Sequence, residues 1–144
     1  MPALAEGQLL GQYRIIRLLG EGGIGAVYEA KHKSLDRRVA VKTLHTEIAA
    51  NRGAVSRFFN EAKAMGRLEH PSIVQVSDFG TAPDGTSYLV MEFLRGESLG
   101  RRLSSLRQRG ERIPLLLLLQ LCWQIADVLS MAHAQGVIHR DIKP

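Results

Sequence analysis

Cysteine is almost missing from these 144 residues: Cys122 stands alone. One thiol cannot close an internal disulfide, so nothing suggests an oxidising compartment. Its place in an apolar helical run beside Trp123 predicts a packed thiol rather than a nucleophile. A positively charged leader followed by an apolar core is also missing, which argues against a signal peptide. The longest apolar run, Leu115–Leu119, falls short of the roughly 20 residues of a membrane span, and Gln120, Gln124 and Asp127 interrupt its continuation. His32, His45, His70 and His133 lack metal-site spacing. Aromatic residues do not interleave with Arg95, Arg101, Arg102, Arg107, Arg109 and Arg112, so these arginines read as a solvated helix face and not as a nucleic-acid surface. There is no internal repeat, and apart from the leucines no low-complexity segment.

What is present is ordinary for one soluble domain: 45% apolar residues, 23% charged residues and a net charge of +5. Residues 1–11 read as a loose lead-in. Alternation predicts strands over Tyr13–Leu19, Ala26–Lys31 and Arg37–Leu44, with Val27 and Glu29 on one face and Tyr28 and Ala30 on the other. Short links make an antiparallel meander the economical arrangement. Val55, Phe58, Phe59, Ala62, Met65 and Leu68 then fall at helical spacing over 53–68, and His70-Pro71 ends that helix. Two more strands, Ile73–Phe79 and Ser87–Phe93, flank the turn residues Pro83-Asp84-Gly85. Five strands and one main helix by residue 93 make an α+β fold. Leu94–Gly96 reads as a linker. A basic helix comes next over about 98–109, and a longer one runs from Pro114 to Gln135, each stopped by a glycine. In the longer helix Gln120, Gln124, Asp127 and Ser130 form one narrow polar stripe, which predicts burial on most of its surface.

Four sets of residues could carry chemistry. Gly20-Glu21-Gly22-Gly23-Ile24-Gly25-Ala26-Val27 fits G-x-G-x-x-G-x-V, in which glycines let backbone N–H groups approach phosphate oxygens. A ligand-free glycine hairpin fits equally. A dinucleotide-binding loop fits poorly, because the residues after Gly25 alternate like a strand, and the Gly-Lys-Ser/Thr of a P-loop is missing. Lys42, in Val39-Ala40-Val41-Lys42, shares a strand face with the small Ala40 and could meet phosphate as a point charge, or could simply be solvated. Glu61 lies in line with Phe58, Met65 and Leu68, where a carboxylate needs a partner such as Lys42 or a position at the stripe's edge. Asp141, beside Arg140 and near Lys143, is either a loop ion-pair member or a base for a hydroxyl proton, with Lys143 steadying transferring charge.

Together these residues resemble the protein-kinase family over about residues 12–144. Gly20 to Val27 resembles the loop over the ATP phosphates, and Lys42 the phosphate-binding lysine with Glu61 as its ion-pair partner. His139-Arg140-Asp141 resembles the catalytic loop with Asp141 as base. The resemblance implies an adenine pocket lined by Leu19, Val27 and Ala40. It also makes Met91 the gatekeeper and Glu92-Phe93-Leu94 the hinge that pairs with adenine. Lys143 and Pro144 match serine/threonine kinases, and Phe58–Gly80 looks like the bacterial eukaryotic-like (Hanks-type) group. The implied organisation is a lead-in over 1–11, a small lobe over 12–93, and a hinge with the start of a large lobe over 94–144. ATP, Mg²⁺ and a Ser/Thr-bearing protein substrate are the implied ligands, and the kinase portion is expected in the cytoplasm; membrane anchoring of a longer protein stays open.

Asp78-Phe79-Gly80 spells the family's magnesium-binding triplet but precedes the catalytic loop, so it is read as a strand end before a turn. The family's H-R-D-x-x-x-x-N would place its Asn two positions beyond Pro144, and its own D-F-G later still. The metal ligands are therefore expected outside these residues, and the 144-residue chain is expected to be inactive by itself. A non-catalytic kinase-like module that binds nucleotide or protein is the alternative; a small-molecule kinase of the same fold is a weaker match.

Overall fold

The computed structural model describes residues 4–139 and Ile142. They form two units, one of residues up to Glu69 together with Val74–Leu94, the other of His70–Ile73 together with the residues from Arg95 onward.

The first unit is a single antiparallel sheet with two helices. Its strands are β1 (Leu9–Leu10), β2 (Tyr13–Glu21), β3 (Gly25–His32), β4 (Arg38–Leu44), β5 (Val76–Thr81) and β6 (Ser87–Glu92), in the order β1-β2-β3-β4-β6-β5. Helices α1 (Thr46–Ala49) and α2 (Arg52–Gly66) lie between β4 and β5 in the chain. Alternation sorts the strand residues onto two faces. Tyr13, Ile15, Tyr28, Ala30, Val39, Val41 and Val90 join Leu10 in one buried cluster, so Tyr28 and Ala30 share a face as the pattern predicts. Leu44 and Leu89 pack with Phe58 and Ala62 of α2 in a second cluster. Asn51 caps α2, its side-chain oxygen accepting from the N–H groups of Gly53 and Ala54 at 2.9 and 3.1 Å.

Two features of this unit depart from the sequence-based expectation. The lead-in is not loose: Leu9–Leu10 pairs with Tyr13–Arg14, and Leu10 is buried. Gly11, at φ 59°, permits the tight reversal between them. A sixth strand is therefore added to the five expected. The single-turn helix α1 is the second addition, in a stretch without helical spacing.

Asp78-Phe79-Gly80 lies within β5 and has a structural role there. The Tyr13 phenol donates to Asp78 Oδ2 at 2.9 Å, while Phe79 packs against Phe59 of α2. Burial, reinforced by that hydrogen bond, holds the Tyr13 phenol well above its ordinary value, and burial with the nearby Asp78 charge also raises Tyr88. Both phenols ionise later in the folded chain than in the unfolded one. Stability is thus fully present below pH of about 10, the unfolded value, and falls as pH rises above it. Tyr13→Phe is expected to cost about 1 kcal/mol at pH 7 and to flatten the alkaline decline, leaving the part due to Tyr88. Urea titrations at neutral and alkaline pH measure both effects; an unchanged alkaline slope would rule out Tyr13 as a source.

In the second unit, α3 (Leu99–Gln108) begins at Ser98, whose Oγ accepts from Arg101 N–H at 3.2 Å. Its arginines are exposed, and Arg102 pairs with Glu97 at 3.6 Å. Helix α4 (Leu115–Ala134) follows Pro114 and stops before Gly136, at φ 75°. The expected burial of α4 fails: Leu115 and Trp123 are 70% and 69% exposed, and Ala132 is its one buried residue among those described. Cys122, read as packed, is exposed too. A helix apolar on most faces needs neighbours on most faces, and Leu106 is the only buried residue of α3. The 20 residues of α4 are also long and apolar enough to cross a membrane. The five-leucine run misjudged this, since polar residues confined to one stripe leave the average apolar; core helices of soluble proteins meet the same criterion.

His70 joins this unit through the polar stripe. Its Nδ1 accepts from Ser72 N–H at 3.0 Å, so Nε2 carries the proton and donates to Asp127 Oδ2 at 3.1 Å.

Candidate functional site

The glycine loop joins β2 to β3. Its tip closes on itself through Gly22 N–H donating to the Gly25 carbonyl at 2.9 Å. The glycines divide into two kinds. Gly25 pairs with Leu44, and a Cβ there would lie 1.8 Å from the Thr43 carbonyl oxygen, so the sheet itself requires glycine. Around Gly20, Gly22 and Gly23 an added Cβ would meet no atom within 4 Å. None of these three has a positive φ. Folding does not demand glycine at these positions, and the backbone there is open to close approach. Glu21 and Ile24 complete the tip, both exposed.

Register places the remaining small-lobe candidates on one sheet. Val27 stands opposite Lys42, and Ala40 opposite both Glu29 on β3 and Met91 on β6. Ala26 is buried on the other face with Tyr28. Leu19 lies next to a bulge between Leu18 and Gly20 and is partly exposed. At the end of β6, the Glu92 N–H donates to the Gln75 carbonyl at 3.0 Å, and Glu92 Oε1 accepts from Gln75 N–H at 2.8 Å. Leu94, exposed, is the last residue of this unit.

Lys42 and Glu61 line one cavity of about 330 Å³ with Ile24, Glu47, Asn51 and Arg57. The structure brings the two together without pairing them. Lys42 Nζ sits 5.9 Å from the Phe58 ring centroid, a cation–π contact. No ion pair between Lys42 and Glu61 occurs among the described residues, and Glu61 is exposed. A carboxylate in water has no need of a partner, which matches the position at the stripe's edge that the helical spacing left open. Asp141 and Lys143 lie outside the described residues.

Two polar residues near the loop escaped the reading of the sequence. Glu29 is 3% exposed, and its carboxylate accepts from Arg17 Nε at 2.7 Å and Arg38 Nη1 at 3.2 Å. Three strands are tied by this one buried charge, which needs both partners to offset its lost hydration. Alternation placed Glu29 beside Val27, but the strand register that selects its arginines is not written in spacing. The other is His45, immediately after β4. Its ring Nε2 lies 2.8 Å from the Gly22 carbonyl oxygen and its backbone N–H donates to the Ile24 carbonyl at 3.0 Å.

The description "Protein kinase domain" fits residues 13–144 of this chain. Among curated relatives, the serine/threonine-protein kinase pkn2 of Myxococcus xanthus is 42% identical over 135 residues, covering 93% of this chain and 15% of that protein. The serine/threonine-protein kinase PknA of Mycobacterium tuberculosis is 41% identical over 140 residues, covering 94% and 32%. The crystal structure of the Mycobacterium tuberculosis PknI kinase domain superposes with a TM-score of 0.80 at 30% identity, over 99% of this chain and 57% of that one. The chain thus spans at most about a third of the length of these curated relatives and just over half of the solved kinase domain.

Proposed function

Since the chain belongs to the protein kinase family, with bacterial serine/threonine kinases as its relatives, we propose that its first unit grips ATP and that the protein to which these residues belong transfers the γ-phosphoryl to Ser or Thr hydroxyls of protein substrates. The six-stranded sheet with α2 matches the family's small lobe, and α3 and α4 the start of its large lobe.

One observation carries the reading. Gly20, Gly22 and Gly23 are glycines that the fold does not require, around a backbone left open. Phosphate oxygens approaching backbone N–H groups supply the missing reason. Residues 20–27 would cover the phosphates, and Lys42 would meet them as a point charge, with Glu61 at the same cavity within the lysine's surroundings. Leu19, Val27, Ala40 and Met91 supply apolar surface for the base, and the Glu92–Leu94 backbone its hydrogen bonds. Magnesium, when bound to the nucleotide, neutralises phosphate charge. Among the described residues no three His, Cys, Asp or Glu side chains converge to hold it. Asp141 orients the substrate hydroxyl and takes its proton, and Lys143 steadies charge on the transferring group. Turnover further requires the family's metal-binding Asn and its later D-F-G.

The test is a titration of the chain with ATP, repeated with Gly22→Val. A side chain at this open position leaves the melting temperature within about 2 °C and blocks the phosphates, raising the dissociation constant about tenfold. Equal affinity for both chains would remove the reason given for the glycines.

A further inference from the structure

The loop that the nucleotide reading places over phosphate has few contacts of its own. Gly20, Gly22 and Gly23 have no crowding neighbours, and Ile24 is 60% exposed. Yet its tip is held from one side by a single residue. His45 comes directly after Leu44, the end of the strand that carries Lys42. Its backbone N–H takes the Ile24 carbonyl at 3.0 Å and its ring Nε2 the Gly22 carbonyl at 2.8 Å. Glu21 Oε1 lies 3.7 Å from the same nitrogen. A carbonyl oxygen only accepts, so Nε2 carries a hydrogen, which the neutral Nε2–H tautomer and the imidazolium both supply.

We infer that His45 is a positioning residue for nucleotide binding: it latches the tip of the glycine loop to the lysine-bearing strand and sets the direction in which the loop's N–H groups are offered. This role rests on the proposal that the first unit grips ATP. The physical reason lies in the peptide bond. A trans peptide is planar, and its C=O and N–H point in opposite directions. Drawing the Gly22 carbonyl toward His45 turns the Gly23 N–H away from it. The Gly22–Gly25 hydrogen bond then closes the turn around that orientation. Three glycines in five positions would otherwise lose a large conformational entropy when a ligand orders them. A latch present before binding removes part of that cost.

Two variants of the full chain test this, with two readouts. Hydrogen exchange of the Gly22–Gly25 amides without ligand reports the latch alone. ATP titration reports its use. His45→Leu is expected to speed that exchange about fivefold and weaken ATP about fivefold, as fits loss of one ordinary hydrogen bond, with the melting temperature lowered by about 5 °C. His45→Gln, whose amide nitrogen can donate to the same carbonyl, is expected to restore both. A merely structural histidine would lower the melting temperature and leave ATP affinity at the wild-type value. Wild-type exchange and affinity in His45→Leu would overturn the latch while leaving nucleotide binding in place. A wild-type chain that leaves ATP unbound would overturn the proposed function and with it this role, and the wild-type titration tells the two failures apart.

Discussion

Gly25→Ala is expected to lower the stability of the first unit by about 3 kcal/mol, the upper end for overpacking, and its melting temperature by roughly 15 °C. The added Cβ would stand 1.8 Å from the Thr43 carbonyl oxygen, 2.9 Å from its carbon and 3.1 Å from Leu44 Cα. All three are backbone atoms of the neighbouring strand, so no side chain can swing aside. Relief requires β3 and β4 to separate at the mouth of the loop, where Gly25 pairs with Leu44 and Ala26 with Thr43. Alanine at Gly22 or Gly23 meets nothing and should leave the melt close to wild type. Differential scanning calorimetry of the three alanine variants decides it. Equal melting for all three would mean that β3 and β4 yield freely, and the division of the glycines into two kinds would be lost.

Asp141→Asn, made in a chain that spans a whole kinase domain, is expected to reduce phosphoryl transfer by about 10³-fold, within the range that a general base contributes. ATP affinity should stay within about twofold, because asparagine matches aspartate in size and the nucleotide is assigned to residues of the first unit. Asn keeps an oxygen that can orient a hydroxyl but cannot take its proton at neutral pH. The assignment rests on the motif His139-Arg140-Asp141 and on family membership. Phosphate-transfer rates with parallel ATP titrations test it. Loss of both in equal measure would make Asp141 part of the binding site rather than the base.

Local pattern made most of the sheet legible. Tyr28 and Ala30 against Val27 and Glu29 is a period of two, and the structure buries Tyr28 and Ala30 together. The glycines of the loop were legible as a motif, but their two causes were not: only the register with β4 shows that Gly25 is hemmed in and Gly22 is not. Strand β1 was missed because two residues have no period, and α1 because four residues carry less than two turns of helical spacing. Helix α4 was misread for a different reason. Its stripe of polar residues is real, but burial is a property of neighbours, and spacing along one helix does not supply them. Lys42 and Glu61 show the same limit. The place of Glu61 on the helix stripe left a pair or an edge position open and the family resemblance implied the pair, while the structure seats the two at one cavity with Phe58 as the lysine's neighbour. His45 could not be read at all, since its partner lies 23 residues earlier in the chain.

The excursion of His70–Ile73 makes the two units inseparable by a single cut. The chain leaves the first unit after Glu69, returns at Val74 and leaves again after Leu94. Proteolysis at Leu94–Arg95 would therefore leave two pieces that still share one unit, and parting them would wound each differently. The N-terminal piece would keep His70 but lose Asp127, the acceptor of its imidazole proton. The C-terminal piece would keep α4 with that carboxylate unanswered. Wiring of this kind resembles a stitch more than a string of beads: the four residues are covalently the property of one piece and by contact the property of the other.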